Sequence, residues 1–368
     1  MKPNVRARHE RGGSWTTYQL YGLSLRTDFC FENRLARSGA PADLTFRCST
    51  ASGDHEQPVA GKLLWPANAA RAGKSHISLH AVDGHYVLEF ADLSRFRLTA
   101  DEIHCALVQP AHAYVVEIQF LGIVLALWLE LQGMPALHAS AVDVGGRAVA
   151  FVGGQGAGKT SMAATFLQGG CRLLTEDLLA LELGRAGALC CPGYPQMRMW
   201  PDEARHFVPG VGQLEIVHPA FAKLRVPVGQ PGIGSFCSDP RPLSCIYVLE
   251  RQTDDARGET RIASVAPRDA VIELIRNSFV PDLVQATGRG AQRLALLTEI
   301  VRNIPVRRLC YPSGFDRLPE ICDVVACDLA KLDSCTQDRV SATGDPPPGS
   351  SRDPSHALDR SSVTTNED

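Results

Sequence analysis

The run Gly153-Gly154-Gln155-Gly156-Ala157-Gly158-Lys159-Thr160 has the composition that phosphate binding demands. It fits GxxxxGK followed by Ser or Thr, in which glycines let backbone N–H groups turn inward on phosphate oxygens and a following helix adds partial positive charge. Lys159 would reach the β- and γ-phosphates of a nucleotide, and the Thr160 hydroxyl would hold Mg²⁺, with Ser161 as substitute if the register slips by one. The candidate donor-binding set is the whole run from Gly153 to Ser161, Gln155 and Ala157 included. Two carboxylates, Glu176 and Asp177, follow along the chain; one is suited to hold metal, the other to orient or deprotonate an attacking hydroxyl. Asp177 is the preferred base, and Glu176 joins Thr160 as expected metal ligand. His138 lies upstream, and an imidazole moves protons near neutral pH. Arg198 is either a bidentate partner for a phosphate or peptide carboxylate, or a surface arginine beside Met197, Met199 and Trp200; Lys223 and Arg225 are weaker candidates of that kind.

The elements that must position these groups are legible on either side of the loop. Ala148 to Val152 reads as a short apolar strand and Ser161 to Gln168 as a helix, closed by Gly169-Gly170. Ala139 to Val144 and Arg147 to Val152 are β-prone runs joined by Gly145-Gly146, the mark of a two-residue hairpin turn. If Val144 pairs with Arg147, the register carries His138 opposite Gly153 and delivers an imidazole to the loop. Arg172 to Thr175 is expected to re-enter the sheet and stop at Glu176-Asp177, where the carboxyl ends of strands in a doubly wound sheet face ligands.

Around this core, the pattern predicts a smaller β-rich domain over residues 16–133, a P-loop α/β kinase domain over 134–333, a loose start over 1–15 and a disordered tail over 334–368. In the first domain, short runs such as Leu44-Thr45-Phe46 and Tyr86 to Phe90 alternate with turn residues. Tyr114 to Leu131 reads as one buried segment, helical over its second half, ending at Gly133 and Pro135. Helical spacing recurs at Arg268 to Phe279, Leu294 to Ile304 and Leu318 to Leu332, with a strand at Val306 to Cys310. A net charge of -3 over 368 residues offers no general attraction for nucleic acid or anionic membrane, so any anion binding must be local. The 12 cysteines lack zinc-type pairing and are expected as reduced, buried thiols. The Arg-rich start lacks an apolar signal core, and the apolar run Phe120 to Leu129 is about half a bilayer span, so a soluble cytoplasmic protein is expected.

Leu137-His138-Ala139 before a hairpin, the glycine-rich loop after it and an acidic pair ending the next strand together resemble HPr kinase/phosphorylase over residues 137–180. The resemblance implies that His138, Gly153 to Ser161, Glu176 and Asp177 are active-site residues, with Glu176 standing where the family usually has a second Asp. It implies ATP and Mg²⁺ as donor and metal, and a homo-oligomer. The segment Gly193 to Pro201 lacks the Arg-Gly-x-Gly signature associated with phosphorolysis. Tyr21-Gly22-Leu23 with Ala42-Asp43-Leu44, Pro242 to Glu250 and Asn277-Ser278-Phe279 are similar to HPr-kinase-like proteins of peptide natural-product clusters, where such kinases in lasso-peptide clusters phosphorylate a C-terminal serine.

The expected function is ATP-dependent transfer to the serine of a precursor peptide, with a small protein such as HPr as the other acceptor. Two further classes are a nucleotide switch and a binding module without catalysis. No NKxD guanine-specificity motif occurs, and intact Lys159, Thr160 and Asp177 argue for chemistry.

Overall fold

The computed structural model describes residues 15–50, 59–66, 77–91, 93–107, 113–184, 187–208, 210, 214–218, 221–230, 232–252 and 258–343. The expected loose start over 1–15 lies outside them apart from Trp15, as does the tail beyond Thr343. The last helix runs from Leu318 to Thr343. Pro319 sits in its first turn, and no Gly or Pro falls between Glu320 and Thr343, so nothing in the covalent chain stops it before Gly344.

Nine strands open the fold: β1 (Thr16–Leu20), β2 (Leu23–Thr27), β3 (Ala36–Arg37), β4 (Leu44–Thr50), β5 (Lys62–Trp65), β6 (Ile77–Val82), β7 (His85–Phe90), β8 (Ser94–Leu98) and β9 (Glu102–Leu107). They form one sheet in the order β3-β1-β2-β4-β9-β8-β7-β6-β5. Alternation sets its buried face: in β9, Ile103, Cys105 and Leu107 are buried while their neighbours are only partly covered. That face is packed by a helical segment made of α1 (Ala113–Gln119), a π-helical turn (Phe120–Val124) and α2 (Leu125–Leu131). Phe46 stacks on Phe120 with ring centroids 3.9 Å apart. Helix therefore begins earlier than the sequence suggested, and the irregularity sits at Gly122, whose φ of -102° and ψ of -110° leave the helical region.

Two buried glutamates lock this helical segment to what surrounds it. Glu117 accepts the backbone N–H groups of Glu32 (2.7 Å) and Asn33 (2.8 Å). Glu130 accepts the Ala136 N–H and the Arg293 Nε–H, both at 2.9 Å. The second contact fixes the entry of the strand that carries His138.

The second half comprises β10 (Ala136–Val144), β11 (Arg147–Val152), α3 (Lys159–Gln168), β12 (Arg172–Thr175), β13 (Leu178–Gly184), β14 (Gly187–Cys191), β15 (Gln196–Met199), α4 (Pro201–Phe207), β16 (Glu215–His218), β17 (Phe221–Pro227), β18 (Ser235–Phe236), β19 (Arg241–Gln252) and β20 (Arg261–Ser264). Three helices, α5 (Pro267–Arg276), α6 (Pro281–Ala286) and α7 (Gly290–Asn303), then lead to β21 (Val306–Pro312) and the long helix α8 (Leu318–Thr343). A nine-stranded mixed sheet holds β11, β19 and β21 as a parallel run, with β10 antiparallel to β11 on the other side. Its strands are apolar on both faces; Ala148, Val149, Ala150, Phe151 and Val152 are all buried. A three-stranded sheet, β15-β17-β16, stands beside it.

Residues up to Cys327 form one compact unit and Asp328 onward a second. Leu20, Phe46 and Leu88 from the first sheet share a core with Ala136, Leu178 and Cys191 from the second. None of the described cysteines is in a disulfide.

Candidate active site

The β10–β11 hairpin has the register that its Gly145-Gly146 turn dictates, running from Val144 opposite Arg147 to Ala139 opposite Val152. Both turn glycines have positive φ (59° and 88°), as the two-residue turn requires, and Asp143 accepts the Gly146 N–H at 2.8 Å. The ladder stops one pair short of His138 and Gly153. There β10 changes partner: His138 pairs with Leu178 of β13, and its N–H donates to the Asn277 carbonyl at 2.7 Å. The imidazole is thus delivered to the acidic turn. Its Nδ1 lies 3.0 Å from the Asp177 carbonyl oxygen and 3.2 Å from Asp177 Oδ1. Both neighbours are acceptors, so Nδ1 carries the proton and Nε2 is the nitrogen left for an incoming group.

The acidic turn is tightly made. Thr175 Oγ1 donates to the Leu178 carbonyl at 2.6 Å, and the Leu178 N–H returns to the Glu176 carbonyl at 3.0 Å. Between them Asp177 has φ of 75°, a left-handed conformation that a non-glycine residue holds only when its surroundings impose it. They do so here through its carboxylate, which takes His138 on Oδ1 and Arg198 Nη1 (3.1 Å) on Oδ2. Arg198 also donates to the Tyr194 hydroxyl at 3.1 Å. Gly193 allows this approach: a Cβ there would sit 2.6 Å from Thr175 Oγ1.

The glycine-rich loop joins β11 to α3 as a strand–loop–helix unit. Lys159 closes it by donating Nζ–H to the carbonyls of Gly153 (2.7 Å) and Gly154 (3.2 Å). Gly158 precedes the helix at φ of 92°, and a Cβ on it would run into the Tyr311 hydroxyl. That hydroxyl donates to the Ala157 carbonyl, so β21 grips the loop from one side. On the other side Thr160 Oγ1 donates to Glu176 Oε1 at 2.9 Å. Ser161, the alternative in a slipped register, is turned to α4, donating to Glu203 Oε1 at 2.5 Å while Glu203 Oε2 accepts the Trp200 N–H. The observed register therefore gives Thr160, and not Ser161, to the acidic turn.

The two adjacent carboxylates have opposite electrostatic fates. Glu176 is 8 % exposed; burial and then the neighbouring Asp177 charge push its pKa up to about 7. Burial also raises Asp177, but its hydrogen bond with His138 and the charge of Arg198 outweigh that and hold it well below the usual carboxylate range. Burial pulls the Lys159 ammonium down, against the opposing charges of Asp177 and Glu176.

Of the sequence candidates, His138, Asp177 and Arg198 converge in one cluster and Lys159, Thr160 and Glu176 in an adjoining one. Lys223 lies 5.7 Å from the Trp200 ring, its charge felt by both carboxylates. Arg225 goes elsewhere, to Asn33 Oδ1 (3.1 Å) and Glu32 Oε2 (3.4 Å), and ties the three-stranded sheet to the first. Sequence reading did not single out Tyr194, Glu203, Asn277 or Tyr311. Tyr194 and Asn277 lay in segments already noted, but lone Tyr and Asn residues carry no spacing signal, and Tyr311 reaches the loop only through the fold.

No family model matches the chain, and no curated protein matches it. Among solved structures, the Hpr(Ser) kinase/phosphatase from Coxiella burnetii is similar at 10 % sequence identity, over 55 % of this chain and 98 % of that chain, with a TM-score of 0.26.

Proposed function

We propose that the chain is a phosphotransferase, an ATP-dependent kinase acting on a serine hydroxyl. The observation that carries this reading is the placement of a His138–Asp177–Arg198 cluster immediately beside a glycine-rich loop whose Thr160 is bonded to Glu176. Loop amides, Lys159 and the α3 N-terminus supply donors for a triphosphate. The Thr160 hydroxyl and Glu176 carboxylate are hard oxygen donors 2.9 Å apart and suit Mg²⁺. Mg²⁺ bound there would neutralise charge on the phosphates and draw Glu176 into its ionised form.

The reaction this supports is attack of the serine oxygen on the γ-phosphorus, with cleavage of the bond to the β–γ bridging oxygen and departure of ADP. In-line transfer needs positioning and charge stabilisation more than covalent chemistry. Both oxygens of Asp177 are engaged, and the imidazole is the more open partner, with His138 at 40 % side-chain exposure against 23 % for Asp177. The acceptor proton therefore passes to the His138–Asp177 pair acting as a unit, with Asp177 holding the imidazole and Arg198 holding Asp177.

The finer reading is that the serine belongs to a ribosomal precursor peptide of the lasso type, at its C-terminus; a small protein of the HPr type is the other acceptor. The test is to incubate the purified chain with ATP, Mg²⁺ and each acceptor and follow mass. A gain of one phosphate on serine, abolished by Lys159→Ala, supports the kinase; ATP turnover with no acceptor phosphorylated in any panel would reject it.

A further inference from the structure

Outside the acidic cluster, the loop has a second charged neighbour that the proposed function does not use. In the sheet, β12 with Glu176 and Asp177 lies to one side of β11, whereas β19 and β21 lie to the other. At the carboxyl end of β19, in register with Tyr311, stands Arg251. Its side chain is exposed, and one guanidinium nitrogen comes within 3.9 Å of where a Cβ on Gly156 would sit. The nearby carboxylate of Glu250 is paired with Arg308 at 3.1 Å, and among the described residues Arg251 has no acidic partner. An unpaired cation against a loop already lined by N–H groups and Lys159 is unfavourable without an anion and favourable with one.

The proposed acceptor site and metal ligands, His138, Asp177, Thr160 and Glu176, lie on the β12 side, which puts the phosphoryl group that moves there. The part of the donor that stays behind then extends across the loop toward β19 and β21. We propose that Arg251 binds the non-transferred α- and β-phosphates of the nucleotide, engaging them through its planar guanidinium on the side of the loop opposite Glu176 and Asp177. This rests on the phosphotransferase reading. It makes the loop a two-sided clamp, in which Tyr311 fixes the loop backbone through Ala157 and Arg251 closes over the diphosphate.

The test is calorimetric titration of the full chain with MgADP and, separately, with magnesium pyrophosphate, for the parent, Arg251→Gln and Arg251→Lys. The expected result is a weakening of both ligands by about tenfold or more in Arg251→Gln, the size of a lost charged hydrogen bond, with partial recovery in Arg251→Lys. Melting temperature without ligand is expected to be unchanged, because the side chain is exposed. Unchanged affinities in Arg251→Gln would overturn the proposal. So would a loss confined to MgADP, which would put Arg251 on the base or ribose. A parent chain that binds neither ligand would overturn the phosphotransferase reading, and this inference with it.

Discussion

Arg198 Nη1 lies 3.1 Å from Asp177 Oδ2, joining a strand of the three-stranded sheet to a turn of the main sheet. After the His138 hydrogen bond, the guanidinium charge is the next contribution that holds the Asp177 pKa low against the upward pull of burial. Replacing Arg198 with Met leaves that carboxylate buried and without its cation, so the Asp177 pKa rises. The acid limb of the pH–rate profile then moves to higher pH by about one unit or more, and kcat falls at fixed pH. Arg198→Lys restores the charge but not the fork that also holds Tyr194, and recovers only part of both. A profile unmoved in Arg198→Met would separate Asp177 from the chemistry.

Glu176 gives the opposite sign. Its folded pKa is raised to about 7, above the unfolded value of about 4.3. Between those values the folded chain holds more protons than the unfolded chain, so stability falls as pH rises through this window and levels off above it. Glu176→Gln keeps an acceptor for Thr160 and removes the titration. It is expected to raise the melting temperature at pH 8, by the equivalent of about 1 to 3 kcal/mol, and to leave it nearly unchanged at pH 4.5. The same variant is expected to lose the stabilisation by MgATP that the proposed site predicts for the parent. Equal melting shifts at the two pH values would contradict the raised pKa.

How far these features could be read in the sequence depends on the range of the interactions that make them. The loop, the hairpin turn at Gly145-Gly146 and the strand ending at Thr175 are set by neighbours within a few residues, and all three were legible. The pairing of His138 was legible only up to Ala139, because the partner that captures β10 beyond that point, Leu178, belongs to a strand that follows an intervening helix. The role of Arg198 is not legible, because its partner Asp177 belongs to a turn of another sheet that only the fold brings within reach. The shared core between Leu20 and Leu178 leaves no trace in the sequence for the same reason.

Tyr311 and Gly158 offer a test of the loop grip. Gly158→Ala places a Cβ against the Tyr311 hydroxyl and forces φ of 92° on a residue that resists it. It is expected to destabilise the chain by about 1 to 3 kcal/mol and to weaken MgATP binding at least tenfold. Adding Tyr311→Phe removes the clashing oxygen while leaving the backbone strain. The double variant is therefore expected to recover part of the melting temperature and little of the binding, measured by scanning fluorimetry and titration. Full additivity of the two substitutions would mean that the contact is not made in solution.

The His138–Asp177 pair makes the sharpest prediction, because a unit and two independent groups behave differently when taken apart. If Asp177 acts by holding the imidazole, then His138→Ala removes the group that receives the proton, and Asp177→Asn removes the negative charge that stabilises the imidazolium formed as the proton arrives. Each is expected to lower kcat by roughly 10² or more, since general-base assistance is worth about that much. The double variant is expected to be little worse than either single one, as for residues that function as one device. Affinity for MgATP, measured by titration, should be nearly unchanged in all three, because neither side chain contacts the loop. Losses in kcat that multiply in the double variant would show that the two residues act separately, with Asp177 meeting the acceptor directly.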